Sequence, residues 1–85
     1  MKRTRDGVKQ IVQETISTLR GIPVQDVKDD MVLNNDLGMD SLDLIETVMV
    51  LENVLGISVG EDAEVENTQT VKEFIESIYE ICNES

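Results

Sequence analysis

Apolar stripes at helical spacing, separated by polar segments, constrain this chain more than any other feature. Val8, Ile11, Val12, Ile16 and Leu19 recur at i, i+3, i+4, i+8 and i+11, one face of an amphipathic helix. Asp6 stands near its start as a candidate N-cap, and Gly21 followed by Pro23 is a stop signal. Leu44, Val48, Leu51 and Leu55 mark the core side of a second helix, from about residue 41 to 55, which ends at Gly56. Val71, Phe74, Ile75, Ile78 and Cys82 mark a last helix, opened by Thr70 and Glu73 in capping-box spacing. An acidic stretch at 61–66 offers a short further helix. The 85 residues suffice for one small domain. The pattern predicts an all-α fold: a small four-helix bundle with three main helices, one short helix and a long first loop. It fills 1–85 as a single domain, with its core at about 6–82.

That first loop, roughly 22–40, holds the only proline and is long for so small a bundle. Val24, Val27, Met31, Leu33 and Leu37 are its expected anchors on the helical core. Long connections in compact domains are often functional.

Composition removes most chemistry. The chain has no histidine and one cysteine, so Ser-His-Asp and Cys-His mechanisms and zinc sites of cysteine and histidine are excluded. Placing Gly38 at position 6 of a calcium loop puts Leu33 and Leu37 where ligands are needed. There is no glycine-rich phosphate loop. The net charge is −11, and beyond residue 9 only Arg20, Lys28 and Lys72 are basic. Such a surface repels nucleic acid and anionic membranes. It suits partners with basic patches, and it serves solubility equally well. No segment is long enough for membrane insertion. The basic start at 1–5 is not followed by the apolar run of a signal peptide. Cys82 cannot close an intramolecular disulfide and falls on an apolar helix face, so a buried thiol in a reducing, cytoplasmic setting is expected. A monomer is expected.

One serine stands out against this background, in Asp36-Leu37-Gly38-Met39-Asp40-Ser41-Leu42. As a helix cap in a capping box, Ser41 would want Glu or Gln at position 44, which is Leu44. Asp40 fits the cap better, with Asp43 adding charge to the first turn. Ser41 then lies inside the first turn with its hydroxyl free and nothing to activate it, which suits a group modified by another enzyme. The helix start favours an attached phosphate, while Asp36, Asp40 and Asp43 oppose one by repulsion. The same helix carries a second apolar stripe, Leu42, Ile45 and Met49, edged by Glu46, Glu52 and Asn53. Either both stripes are buried in a central helix, or the second is a docking surface; the neighbouring serine favours docking. Phe74 and Tyr79 are the only aromatics, and an aliphatic core can part for a flexible apolar guest at roughly 0.8 kcal/mol gained per buried methylene.

These residues resemble bacterial acyl carrier proteins over most of the chain, from about Val8 to Ile81. The resemblance is carried by Asp36-Leu37-Gly38, Asp40-Ser41-Leu42-Asp43, Glu46, Val48-Met49 and Leu51-Glu52, with Asp30-Met31-Val32-Leu33 and Thr70-Val71. It implies that Ser41 bears covalent 4′-phosphopantetheine, derived from coenzyme A and installed by a phosphopantetheinyl transferase. It implies a partner-docking face of Asp36, Asp40, Leu42, Asp43, Ile45, Glu46, Met49 and Glu52. Leu33, Leu44, Val48, Leu51 and Leu55 would line part of an acyl pocket. The protein would then be a freestanding carrier, not an enzyme, serving acyl-chain synthesising and transferring enzymes of fatty-acid or related lipid synthesis. Thr47, where a larger aliphatic is common, and Asn53, Val54 and Gly60 depart from the family pattern. They leave open a specialised polyketide or aminoacyl carrier. An unmodified acidic adaptor is the alternative from another class.

Overall fold

The first helix, α1 (Arg5–Arg20), starts where Thr4, in extended conformation, accepts a hydrogen bond from the Gly7 amide on Oγ1 at 3.1 Å. The cap is thus two residues earlier than Asp6, which lies in the first turn and opposes the helix dipole favourably. Val8, Val12, Thr15 and Ile16 are buried, whereas Ile11 and Leu19 lie at the edge of that face. Gly21 closes the helix in the left-handed region, and the amides of Gly21 and Ile22 both donate to the Ser17 carbonyl. The computed structural model describes residues 4–59 and 69–83.

A 3₁₀ turn (Val24–Asp26) opens the long connection. Val27, Leu33 and Leu37 are buried as anchors and Met31 is half-buried, but Val24 is 41% exposed and anchors nothing. Met39, unremarked in the sequence, is as deeply buried as Val27. Backbone pairing holds the loop in addition to apolar contact. Val32 and Thr70 form an isolated antiparallel bridge. Around it the Leu33 amide donates to Gln69 O at 2.8 Å, Val71 N to Met31 O at 3.0 Å and Lys72 N to Asp29 O at 3.0 Å. From α1, Gln13 donates to Val27 O and Lys9 pairs with Asp29 at 3.1 Å. The loop is therefore tied to the first helix and to the start of the last.

The second and third helices are α2 (Ser41–Leu55) and α3 (Val71–Asn83). Thr70 and Glu73 form the expected capping pair: Glu73 N donates to Thr70 Oγ1, and Glu73 Oε1 accepts from the Thr70 and Gln69 amides. Helix α1 packs against both others, so α1 and not α2 is the central element among the described residues. The core joins Val8, Val12 and Ile16 to Leu44, Leu51 and Leu55 of α2 and to Phe74, Ile75, Ile78 and Cys82 of α3. On α2 the residue completing that face is Thr47, which is fully buried; Val48, expected there, is half-buried. Thr47 satisfies its hydroxyl within the helix by donating to Asp43 O at 2.8 Å.

The described residues are thus all-helical apart from turns and one bridge, and no helix among them is long and apolar enough to cross a membrane. The short helix expected at 61–66 lies outside the described residues.

Candidate functional site

The loop reaches α2 through a fixed sequence of local bonds. The Asp36 side chain accepts from the Val32 amide at 2.7 Å while its own amide donates back to Val32 O, closing a small ring. Leu37 and Met39 are both buried, and the Met39 amide donates to Leu33 O at 3.0 Å. Between them Gly38 adopts φ +66°, a left-handed conformation that a side chain disfavours.

Asp40 then caps α2. Its Oδ1 accepts from the Asp43 amide at 2.9 Å, and Asp43 Oδ2 accepts from the Asp40 amide at 3.2 Å. This reciprocal pair fills the capping role and leaves Ser41 as the first helical residue. Ser41 is exposed, and its hydroxyl has no hydrogen-bond partner among the described residues. The amides of Ser41 and Leu42 have no acceptor there either, as expected for the first turn of a helix. Beside the serine is a cleft of about 430 Å³ lined by Leu33, Asn34, Gly38, Met39, Asp40, Ser41, Leu44 and Gln69.

The two stripes of α2 separate clearly. Leu42, Ile45 and Met49 are 75%, 41% and 59% exposed, next to Ser41 and on the side away from the core. The acids around them differ in how far they are engaged. Asp36, Asp40 and Asp43 hold the backbone bonds just described, and Glu52 accepts from the Val59 amide at 2.9 Å. Glu46 is exposed and has no partner among the described residues. Arg20, at the end of α1, places Nη1 3.6 Å from Asp43 Oδ2.

Of the residues expected to face an apolar guest, Leu33 and Leu44 line the cleft beside Ser41. Leu51 and Leu55 lie behind them in the core, and Val48 flanks it. Met39, Asn34 and Gln69 join the cleft without having been anticipated. Alternation of Leu37 and Met39 about a glycine was the available signal for Met39. No sequence signal pointed to Gln69, which is brought in by the bridge.

Comparison with known proteins bears on this arrangement. The family described as a phosphopantetheine attachment site matches residues 10–78. An acyl carrier protein of Chloroherpeton thalassium is 42% identical over 74 residues, covering 85% of this chain and 92% of that protein. An acyl carrier protein of Saccharopolyspora erythraea is 35% identical over 72 residues, covering 85% of this chain and 75% of that one. Among solved structures, an acyl carrier protein from Enterococcus faecalis superposes with a TM-score of 0.69 at 28% identity, covering 93% of this chain and 99% of the other.

Proposed function

The chain belongs to the acyl carrier protein family, and from that premise we propose that Ser41 is the residue that receives the phosphopantetheine arm. Members of the family are carriers and not enzymes, and they bear 4′-phosphopantetheine covalently. The observation that carries the assignment is the reciprocal cap of Asp40 and Asp43, which leaves the Ser41 hydroxyl exposed at the start of α2 and unbonded among the described residues.

The residues present fit the group. The amides of Ser41 and Leu42, unpaired among the described residues, lie at the end of the helix where a phosphate is favoured. The 430 Å³ cleft offers mixed polar and apolar walls for the arm next to it. When bound, the arm supplies a terminal thiol on which an acyl group is held as a thioester. This chain's own part is to present the serine, to recognise visiting enzymes and to shelter cargo.

Recognition falls to the exposed stripe Leu42, Ile45 and Met49, with Glu46 and the flanking Asp36, Asp40, Asp43 and Glu52. Partners are a phosphopantetheinyl transferase and acyl-chain synthesising and transferring enzymes with basic docking patches. Shelter falls to Leu33 and Leu44 at the cleft, with Leu51, Leu55 and Val48 behind them. Thr47 supports an ordinary aliphatic cargo, because its hydroxyl is spent on Asp43 O and it adds no open polar group to the core. We therefore place the protein as a freestanding, cytoplasmic, monomeric carrier in fatty-acid or related lipid synthesis. It forms one domain.

Intact-mass measurement after incubation with coenzyme A and a transferase tests the assignment. Wild type gains one phosphopantetheine and Ser41→Ala gains none. An undiminished adduct on Ser41→Ala, or no adduct on wild type, overturns it.

A further inference from the structure

We propose that Arg20 is a specificity-determining residue of the docking face: by holding Asp43, it weakens that carboxylate's share in recognising visiting enzymes. Their basic groups are then directed towards Glu46 and the outer oxygen of Asp40. This inference rests on the docking reading of α2 given above.

One side chain spans the approach to Ser41. Arg20 is the last residue of α1, yet its Nη1 lies 3.6 Å from Asp43 Oδ2 in the first turn of α2. Its Nη2 lies against Gly38 on the loop side, 3.3 Å from where a β-carbon would stand. Asp43 Oδ2 also accepts the Asp40 amide, so its position is fixed from two directions. The Arg20 and Asp43 side chains are each 33% exposed, a partly shielded pair at the surface. Glu46, one turn along, has neither constraint.

Chain composition makes this arrangement consequential. Beyond residue 9 the only cations are Arg20, Lys28 and Lys72, set against many acids. Lys72 is on α3. On its other side Arg20 borders a hollow shared with Asp26, Lys28, Asp30 and Asp36, the remaining charged groups facing it. Asp43 is therefore partly offset by Arg20, which Asp36 also borders, while Glu46 keeps its full charge. A charge at the rim of an interface acts mainly on association rate and its salt dependence, so the signature belongs in KM and not in the chemical step.

The experiment measures phosphopantetheine transfer by a transferase to apo wild type, Arg20→Gln, Arg20→Lys, Asp43→Asn and Arg20→Gln/Asp43→Asn, at low and high salt. Arg20→Gln lowers KM about two- to fivefold at low salt with kcat unchanged, the size of one rim charge made available. Arg20→Lys restores the wild-type KM, and most of the Arg20→Gln gain is lost in the Asp43→Asn background. Three results overturn the proposal: an unchanged or raised KM in Arg20→Gln, a change confined to kcat, or a gain of equal size with and without Asp43. Circular dichroism of each variant verifies folding. If Arg20→Gln is unstable, Asp43→Asn alone decides: a carboxylate already held by Arg20 should change KM by less than about twofold when neutralised, and a larger rise overturns the proposal. Failure of the Ser41 assignment would show separately, as a missing adduct on wild type.

Discussion

Two glycines with almost the same backbone provide an internally controlled test of how the loop meets α2. Gly38 has φ +66° and Gly56, closing α2, has φ +67°. Alanine in this region costs about 1–2 kcal/mol. Stiffening of the unfolded chain returns about 0.4–1 kcal/mol. At Gly56 no atom lies within 4 Å of an added β-carbon, so only these two effects operate and Gly56→Ala should destabilise by about 1 kcal/mol. At Gly38 the β-carbon would stand 3.3 Å from Arg20 Nη2. A flexible guanidinium yields by a few tenths of an ångström, which weakens its 3.6 Å contact with Asp43, a partly exposed pair worth about 0.2–1 kcal/mol. Gly38→Ala should therefore exceed Gly56→Ala by about 0.5 kcal/mol, together a fall in Tm of roughly 6–12 °C for a domain of this size. Urea unfolding followed by circular dichroism measures both, with stability read from the midpoint at unchanged m. In an Arg20→Gln background the excess at Gly38 should vanish. Equal losses at the two glycines, or an excess that survives removal of Arg20, would refute the reasoning.

Two further outcomes follow from single groups. Thr47→Val removes a hydroxyl whose only bond among the described residues is to Asp43 O, a carbonyl that also lies within the helix ladder, so stability should move by no more than about 1 kcal/mol in thermal unfolding; a larger loss would show that the hydroxyl does more than satisfy itself. Bonds from the Thr70 amide, the Gln69 amide and Thr70 Oγ1 hold the Glu73 carboxyl below the usual carboxylate range. A depressed folded value means stabilisation present above the ordinary carboxylate range and lost as pH falls through the folded one. Glu73→Gln should thus be less stable than wild type at neutral pH, with the gap closing in acid; parallel stability curves would rule this out.

Much of the site was legible because it is local. The fit of Asp40 over Ser41 to the cap follows from the spacing of four consecutive residues, and the structure shows both halves of that box. The exposure of Leu42, Ile45 and Met49 follows from helical rotation away from Leu44 and Leu51. What escaped the sequence is either ambiguous locally or settled by distant chain. Asp6 and Thr4 are both acceptable caps, and the extended backbone at Thr4 decides between them. Thr47 replaces Val48 in the core because the buried face of α2 is turned towards α1, the central helix, which periodicity alone does not orient. Arg20 reads as an ordinary last-turn cation, and only the packing of α1 on α2 brings it to Asp43. The backbone pairing at Val32 and Thr70 has no local signature, since neither residue sits in a strand pattern.

That pairing carries a consequence for the order of assembly. The residues that immobilise the serine's loop, Gln69 to Val71 among them, follow it in the chain and close a long-range contact. As the polypeptide emerges from the ribosome, α1, the loop and α2 are all complete before their fastener exists. The long-range part of the loop's restraint can therefore form only when the start of α3 arrives, whereas the Asp40–Asp43 cap beside Ser41 needs nothing beyond α2 itself.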